Sequence, residues 1–259
     1  MIDFHNHIIP DVDDGSKNID MSISMLKTAS HMGIRKIVST THYNHPFMKE
    51  KFPNFNIINS KLENLKDEMK IHNLDIEIIS KAENFFDESL VNFINDENLT
   101  IGDKYMLIEF DFRFIPNNYE KILFQLQLEG ITPIIAHPER YKFVQKNYDY
   151  IKNWIDKGYK LQLTCGSILG NFGKQCLLTC NRIMDEGDFH LIGSDAHNNK
   201  NRNFAIKECM DYIKEKSEKN FAILNNNHEN LLNGKELINC NKLKRKNNFF
   251  EKIKKLVNY

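Results

Sequence analysis

Short apolar runs alternate with longer amphipathic stretches along most of the chain. Ile2 and Phe4 open it as a short buried strand. Met21, Ile23, Met25, Leu26, Ala29 and Met32 recur at helical spacing, which predicts a helix from about 19 to 32 with Gly33 as its C-cap. Residues 35–40 predict a strand that runs into His42, and 61–71 fall in a charged amphipathic helix. Residues 76–79 form a strand leading to Glu83, and 105–108 a strand ending on Glu109. A helix over 119–128 stops at Gly130, before a buried strand over 132–136 that ends on His137. Helix over 148–155, strand over 159–163, helix over 176–184 and strand over 189–192 follow. The last strand leads into Gly193-Ser194-Asp195-Ala196-His197, and a helix over 204–213 closes the series.

Seven strands, most followed by a helix, predict an α/β fold with a parallel sheet. With this many units a closed or nearly closed barrel is expected rather than an open sheet. An open doubly wound sheet gathers ligands at one switch point, whereas here nearly every strand ends in a His, Asp or Glu. The barrel is expected over 1–234, with 235–259 a basic amphipathic C-terminal extension. There Lys242, Lys244, Arg245, Lys246, Lys252, Lys254 and Lys255 stand against Glu251, with Phe249, Phe250, Ile253, Leu256 and Val257 at helical spacing. Such a helix either makes weak contact with an anionic membrane or acidic partner, or packs its apolar stripe on the barrel. The second is the plainer reading.

Composition narrows the class. Of 259 residues, 41% are hydrophobic and 27% charged, and the formal net charge is zero, so no global field draws the chain to nucleic acid. The start lacks the basic and apolar regions of a signal peptide, and no run of about 18 apolar residues spans a membrane. The five cysteines are odd in number and form no Cys-x-x-Cys pair, which fits reduced thiols. A cytoplasmic protein is expected.

The chemistry starts at His5-Asn6-His7. In extended backbone both imidazoles leave one face, a ready pair of metal ligands. Asp13, Asp14 and Gly15 form an acidic turn whose glycine lets the chain bend back. With His42, Glu83, Glu109, His137, Asp195 and His197 they make nine candidate ligands: His5, His7, Asp14, His42, Glu83, Glu109, His137, Asp195 and His197. Any one of them alone reads as a solvated loop residue or a cap. Nine at the ends of different strands point to one mouth. Mixed imidazole and carboxylate donors suit Mn, Fe or Zn. Clustered dications make hydroxide available near neutral pH and clamp phosphoryl oxygens. Arg140 and Arg202 stand where a phosphate's outer oxygens need planar, bidentate charge.

These residues reach a family. His5-Asn6-His7, Asp13-Asp14-Gly15, Thr41-His42, Ala82-Glu83, Ile108-Glu109-Phe110, Ala136-His137-Pro138-Glu139-Arg140-Tyr141 and Gly193-Ser194-Asp195-Ala196-His197-Asn198 resemble the polymerase and histidinol phosphatase (PHP) superfamily. Within it the likeness is to the bacterial metal-dependent protein tyrosine phosphatases of the CpsB/CapC type, from capsule and exopolysaccharide loci. The resemblance covers about residues 1–215. It implies a distorted (β/α)7 barrel holding three divalent ions, commonly manganese. His5, His7, Glu83 and Asp195 would hold the first, His42, Glu83 and His137 the second, and Asp14, Glu109 and His197 the third. It also implies that Arg140 and Arg202 bind phosphate, that a metal-bound hydroxide attacks phosphotyrosine, and that the substrate is a cytoplasmic tyrosine autokinase regulating polysaccharide export. A phenolate leaving group, with a pKa of about 10, needs little protonation help. The alternatives are a small-molecule phosphatase of the histidinol-phosphate type, a nuclease-type module, against which this barrel's lack of a long basic stripe argues, and a non-catalytic metal-binding module, against which the complete ligand set argues.

Cys176 and Arg182 match the bare Cys-x5-Arg spacing of cysteine-based tyrosine phosphatases, but the segment has no glycine and reads as mid-helix. It is expected to be a decoy. His31, His72, His190 and His228 read as bystanders, and His45 either as close enough to His42 to touch substrate or as a solvated loop residue. Phe85, Phe86, Arg113 and Phe114 fall in loops at the expected mouth, where aromatic side chains flank a phenyl phosphate ring or simply pack the core.

Overall fold

The computed structural model describes residues 1–50 and 52–243. Seven parallel strands form one sheet in chain order: β1 (Ile2–Asp3), β2 (Lys36–Tyr43), β3 (Glu77–Phe85), β4 (Tyr105–Glu109), β5 (Thr132–Ala136), β6 (Lys160–Thr164) and β7 (Leu191–Gly193). The two edges meet just beyond β1 and β7. Asn6 bridges Ala196, the His7 N–H donates to the Ala196 carbonyl at 2.8 Å, and the Asp195 N–H donates to the His5 carbonyl at 2.8 Å. The sheet therefore rolls into a nearly closed barrel, as the alternation of units predicted.

Helices α1 (Ile19–His31), α2 (Phe55–Ile71), α3 (Tyr119–Leu128), α4 (Lys142–Lys146), α5 (Asp149–Asp156), α6 (Cys165–Ile168), α7 (Lys174–Glu186), α8 (Ile206–Lys216) and α9 (Glu218–Leu232) connect and flank the strands. The α1 stripe works as its spacing predicted: Asn18 caps the helix by accepting from the Met21 N–H, and Ile23, Met25, Leu26 and Ala29 are buried.

Strand parity divides the apolar residues into two cores. Ile37, Ile78, Met106, Ile108, Ile135, Leu161 and Ile192 belong to a large core shared with the helices. Phe4, Val38, Leu107, Ile134 and Leu191 join Tyr105, Leu231 and Leu237 in a second, smaller one that fills the barrel. The same inward parity carries His42 on β2, Glu83 on β3, Glu109 on β4 and Gln162 on β6.

Some bounds differ from the sequence reading. The apolar run of β2 stops near Thr40, yet the strand continues through His42, and β3 continues through Glu83, with His42 and Glu83 in register. Pairing with the neighbouring strand holds these polar residues extended where local propensity does not. Helix α9 lies beyond the last helix expected, because polar residues interrupt its buried face: Asn220, Asn227 and His228 are buried among Ile223, Leu224 and Leu231. Residues 235–243 lie across the end of the barrel where the strands begin. Lys235 O accepts from the Tyr105 hydroxyl at 2.7 Å, Leu237 O from Lys160 Nζ at 2.8 Å, and the Cys240 N–H donates to Phe189 O at 2.9 Å. The rest of the basic extension, 244–259, lies outside the described residues.

Candidate metal centre

The strand ends opposite that segment bring His5, His7, Asp14, His42, Glu83, Glu109, His137, Asp195 and His197 to one mouth. β1 itself is only two residues long, so His5 and His7 follow it rather than ride on it, with ring centroids 5.7 Å apart. Glu83 sits at the middle. His5 Nε2 lies 3.3 Å from its Oε1, His7 Nε2 3.4 Å from Oε2, His42 Nδ1 3.2 Å from Oε2, and His137 Nε2 3.1 Å from Oε1. Asp195 Oδ1 lies 3.8 Å from His5 Nε2 and 3.7 Å from His7 Nε2. Glu109 Oε1 is 3.5 Å from His137 Nε2. Asp14 Oδ1 lies between His42 Nε2 at 3.4 Å and His197 Nε2 at 3.5 Å.

The backbone is bent to reach this arrangement. His137 and Asp195 both adopt positive φ, 33° and 52°, where the chain leaves β5 and β7. Gly15 lies so close to His7 that a Cβ there would come within 2.3 Å of His7 Cβ and of its carbonyl. Only glycine allows the acidic turn to fold onto the histidine.

The donor set fits divalent cations. Nε2 of His5 and His7, Nδ1 of His42 and Oε2 of Glu109 are buried without a hydrogen-bond partner. Lone pairs so placed are costly unless something positive meets them. Separations of about 3–3.8 Å are those of donors sharing an ion at bond lengths of about 2.1 Å. Charge tells the same story. Burial alone would raise Glu83, but His5, His42 and His137 hold it well below the usual carboxylate range. Burial and the neighbouring Glu83 push Glu109 upward, as two carboxylates crowded out of water must. Burial opposes protonation of His42, yet Glu83 raises it to about 9.

The groupings by distance differ from those the resemblance implied: His7 falls in two of them, Asp195 in none, and His42 and Glu109 change neighbours. Glu109 falls with Glu83 and His137, or with His42 and His45, while Asp14 falls with His7, His42 and His197. His45, which the sequence left between substrate contact and solvent, has Nε2 3.5 Å from Glu109 Oε2, and burial and His42 push it down to about 4.

The CpsB/CapC family model of capsular polysaccharide synthesis matches residues 1–233. The chain belongs to this family. The CpsB/CapC relative "Tyrosine-protein phosphatase YwqE" of Bacillus subtilis (strain 168) is 35% identical over 221 residues, covering 83% of this chain and 84% of that one. "Tyrosine-protein phosphatase CpsB" of Streptococcus agalactiae serotype V is 27% identical over 237 residues, covering 85% and 95%. A chain from the crystal structures of YwqE from Bacillus subtilis and CpsB from Streptococcus pneumoniae, described as unique metal-dependent tyrosine phosphatases, superposes with a TM-score of 0.84. It is 30% identical and covers 95% of this chain and 100% of that one.

The candidate ligands have partners of their own. Asp13 accepts from His7 Nδ1 at 2.7 Å and from the His42 N–H at 3.2 Å, and the Gln162 carbonyl oxygen lies 2.9 Å from His5 Nδ1. Each fixes the ring whose other nitrogen faces Glu83. Asp13 was visible in the acidic turn, but Gln162, alone in an apolar strand, carried no signal. The two arginines meet at Asp195: Arg140 Nη1 donates to Oδ2 at 2.7 Å and Arg202 Nη2 to both oxygens at 3.0 Å. The Arg140 guanidinium also stacks between Phe112 at 4.5 Å and Phe172 at 4.6 Å.

Cys176 is in the first turn of α7 rather than mid-helix as the spacing predicted. Its thiol donates to Ser167 Oγ at 3.2 Å, and burial pushes it up to about 12. Arg182 stacks on Tyr148 at 3.9 Å. His190 and His228 are buried in the barrel wall and against Phe4, away from the mouth.

Proposed function

We propose that the chain is a metal-dependent protein tyrosine phosphatase. The observation that carries this reading is the pair of arginines pinned on Asp195 at the rim of a buried carboxylate and imidazole cluster. His5, His7, Glu83 and Asp195 would hold one ion, Glu83, Glu109 and His137 a second, and Asp14, His42 and His197 a third. Short donor separations support this partition, in which His42 and Glu109 exchange places relative to the resemblance. Divalent ions, manganese above all with iron and zinc as alternatives, supply Lewis acidity to phosphoryl oxygens and lower the pKa of the attacking water.

The chain's own residues do the rest. Arg140 and Arg202 each spend part of a five-donor fork on Asp195, and the remaining N–H groups, including the buried, unpartnered Nε of Arg202, are free for an anion's outer oxygens. Asp13 and Gln162 orient His7 and His5. The phenolate departs with little protonation help.

The phosphoprotein is, in this reading, a cytoplasmic tyrosine autokinase that governs capsule or exopolysaccharide synthesis, as the family's polysaccharide context and the resemblance support. No helix of the described residues is long and apolar enough to cross a membrane. Purified protein loaded with Mn is expected to hydrolyse a phosphotyrosyl peptide, to lose turnover on chelation and to regain it with Mn. Preference for histidinol phosphate over the peptide would overturn the assignment.

A further inference from the structure

Beside the donor cluster lies a cavity of about 260 Å³ with aromatic walls. Phe86 and Phe110, buried and 5.0 Å apart between ring centroids, form its floor. Phe47 and Phe114 stand at its edge, 74% and 56% exposed, and Phe85 also lines it. Arg113 at the rim is tied to Asp111, Nη2 to Oδ2 at 3.0 Å and Nε to Oδ1 at 3.1 Å, so the cavity offers rings more than charge.

None of the nine candidate ligands lines the cavity, but the chain carries its walls next to them. Phe110 directly follows Glu109, and Phe85 lies two residues beyond Glu83 on the same strand. One imidazole joins the two regions: His45 has Nε2 3.5 Å from Glu109 Oε2, while its ring meets Phe85 edge-on at 4.9 Å and lies 5.7 Å from Phe47. An apolar cavity of about 150 Å³ is enough to bind benzene. A phosphate gains nothing from such walls, whereas an aromatic ring gains burial and edge-to-face contact.

We propose that this cavity seats the phenyl ring of the phosphotyrosyl side chain while its phosphoryl group lies at the cluster, and that it sets the preference for aryl over alkyl phosphates. The inference rests on the phosphatase reading above. His45 is then a positioning residue between ring and carboxylate.

Two non-hydrolysable anions separate the ring from the phosphoryl group: benzylphosphonate and methylphosphonate, titrated calorimetrically into Mn-loaded protein. Wild type is expected to bind benzylphosphonate about tenfold more tightly than methylphosphonate. In a Phe47→Ala/Phe114→Ala double variant that ratio falls toward one. Both side chains are exposed, so the core is untouched, and an unchanged melting temperature checks this. Phe124→Ala, an exposed phenylalanine on α3 away from the cavity, keeps the wild-type ratio. A wild-type ratio near one, or a double variant that retains the full ratio, overturns the ring seat while leaving phosphotyrosine turnover intact. No turnover of phosphotyrosyl peptide by wild type sinks the phosphatase reading instead, and this inference with it.

Discussion

Asp13 has a larger role than its place in an acidic turn implies. Burial by itself would raise its carboxyl, but the His7 ring holds it down to about 2, so it stays ionised and keeps the His7 proton on Nδ1. Asp13→Asn removes that charge with little change of shape. The expected outcome is a loss of about 10–100-fold in metal affinity, read by competition with a chromogenic chelator. Cys176 makes the opposite case. Its raised thiol and its bond to Ser167 leave it no nucleophilic role, so Cys176→Ser is expected to keep phosphotyrosyl turnover within about twofold. A metal-loaded but inactive Cys176→Ser variant would refute that. At this scale the sequence showed donor types well, because histidines and carboxylates at strand ends are few and conspicuous. It did not show Gln162, Phe112 or Phe172, whose roles depend on which strand or loop comes to lie beside which.

Among the elements, strands and amphipathic helices were legible wherever an apolar stripe faced a single core. Helix α1 matches its predicted span nearly to the residue, since Asn18 and Gly33 bound it. Where polar groups are buried, the pattern misleads. The inner face of α9 carries Asn227, which donates to His190 O at 2.8 Å and Ile238 O at 2.7 Å, so it looks solvated in the sequence and is structural in the fold. The turn after His7 depends on a different constraint, the absence of a side chain at 15. Gly15→Ala is expected to force Asp13 and Asp14 away from His7, His42 and His197. The measurable result is loss of bound metal by elemental analysis, with the helical circular dichroism signal retained. Full metal content in that variant would show the turn to be more forgiving than the 2.3 Å approach implies.

For the molecule as a whole, acid stability hinges in part on imidazoles far from the mouth. Burial lowers His228 to about 4 from the ordinary 6.5. A depressed histidine means the unfolded chain binds the extra proton. This stability is therefore present above pH 6.5 and is lost as pH falls toward 4, by about 3 kcal/mol from this one side chain. His228→Gln still accepts a hydrogen bond but cannot titrate. Its urea midpoint is expected to fall less steeply between pH 7 and pH 4.5 than that of wild type.

The bridge from Asn6 to Ala196 has a temporal consequence. Every other strand pairing joins chain neighbours and can form as the polypeptide emerges during synthesis, but this seam waits for residues 190 positions apart. His5 and His7 stand on one lip and Asp195 and His197 on the other. A ribosome-bound fragment ending before β7 holds only part of the donor set, so retention of a full complement of ions reports that the last unit has docked.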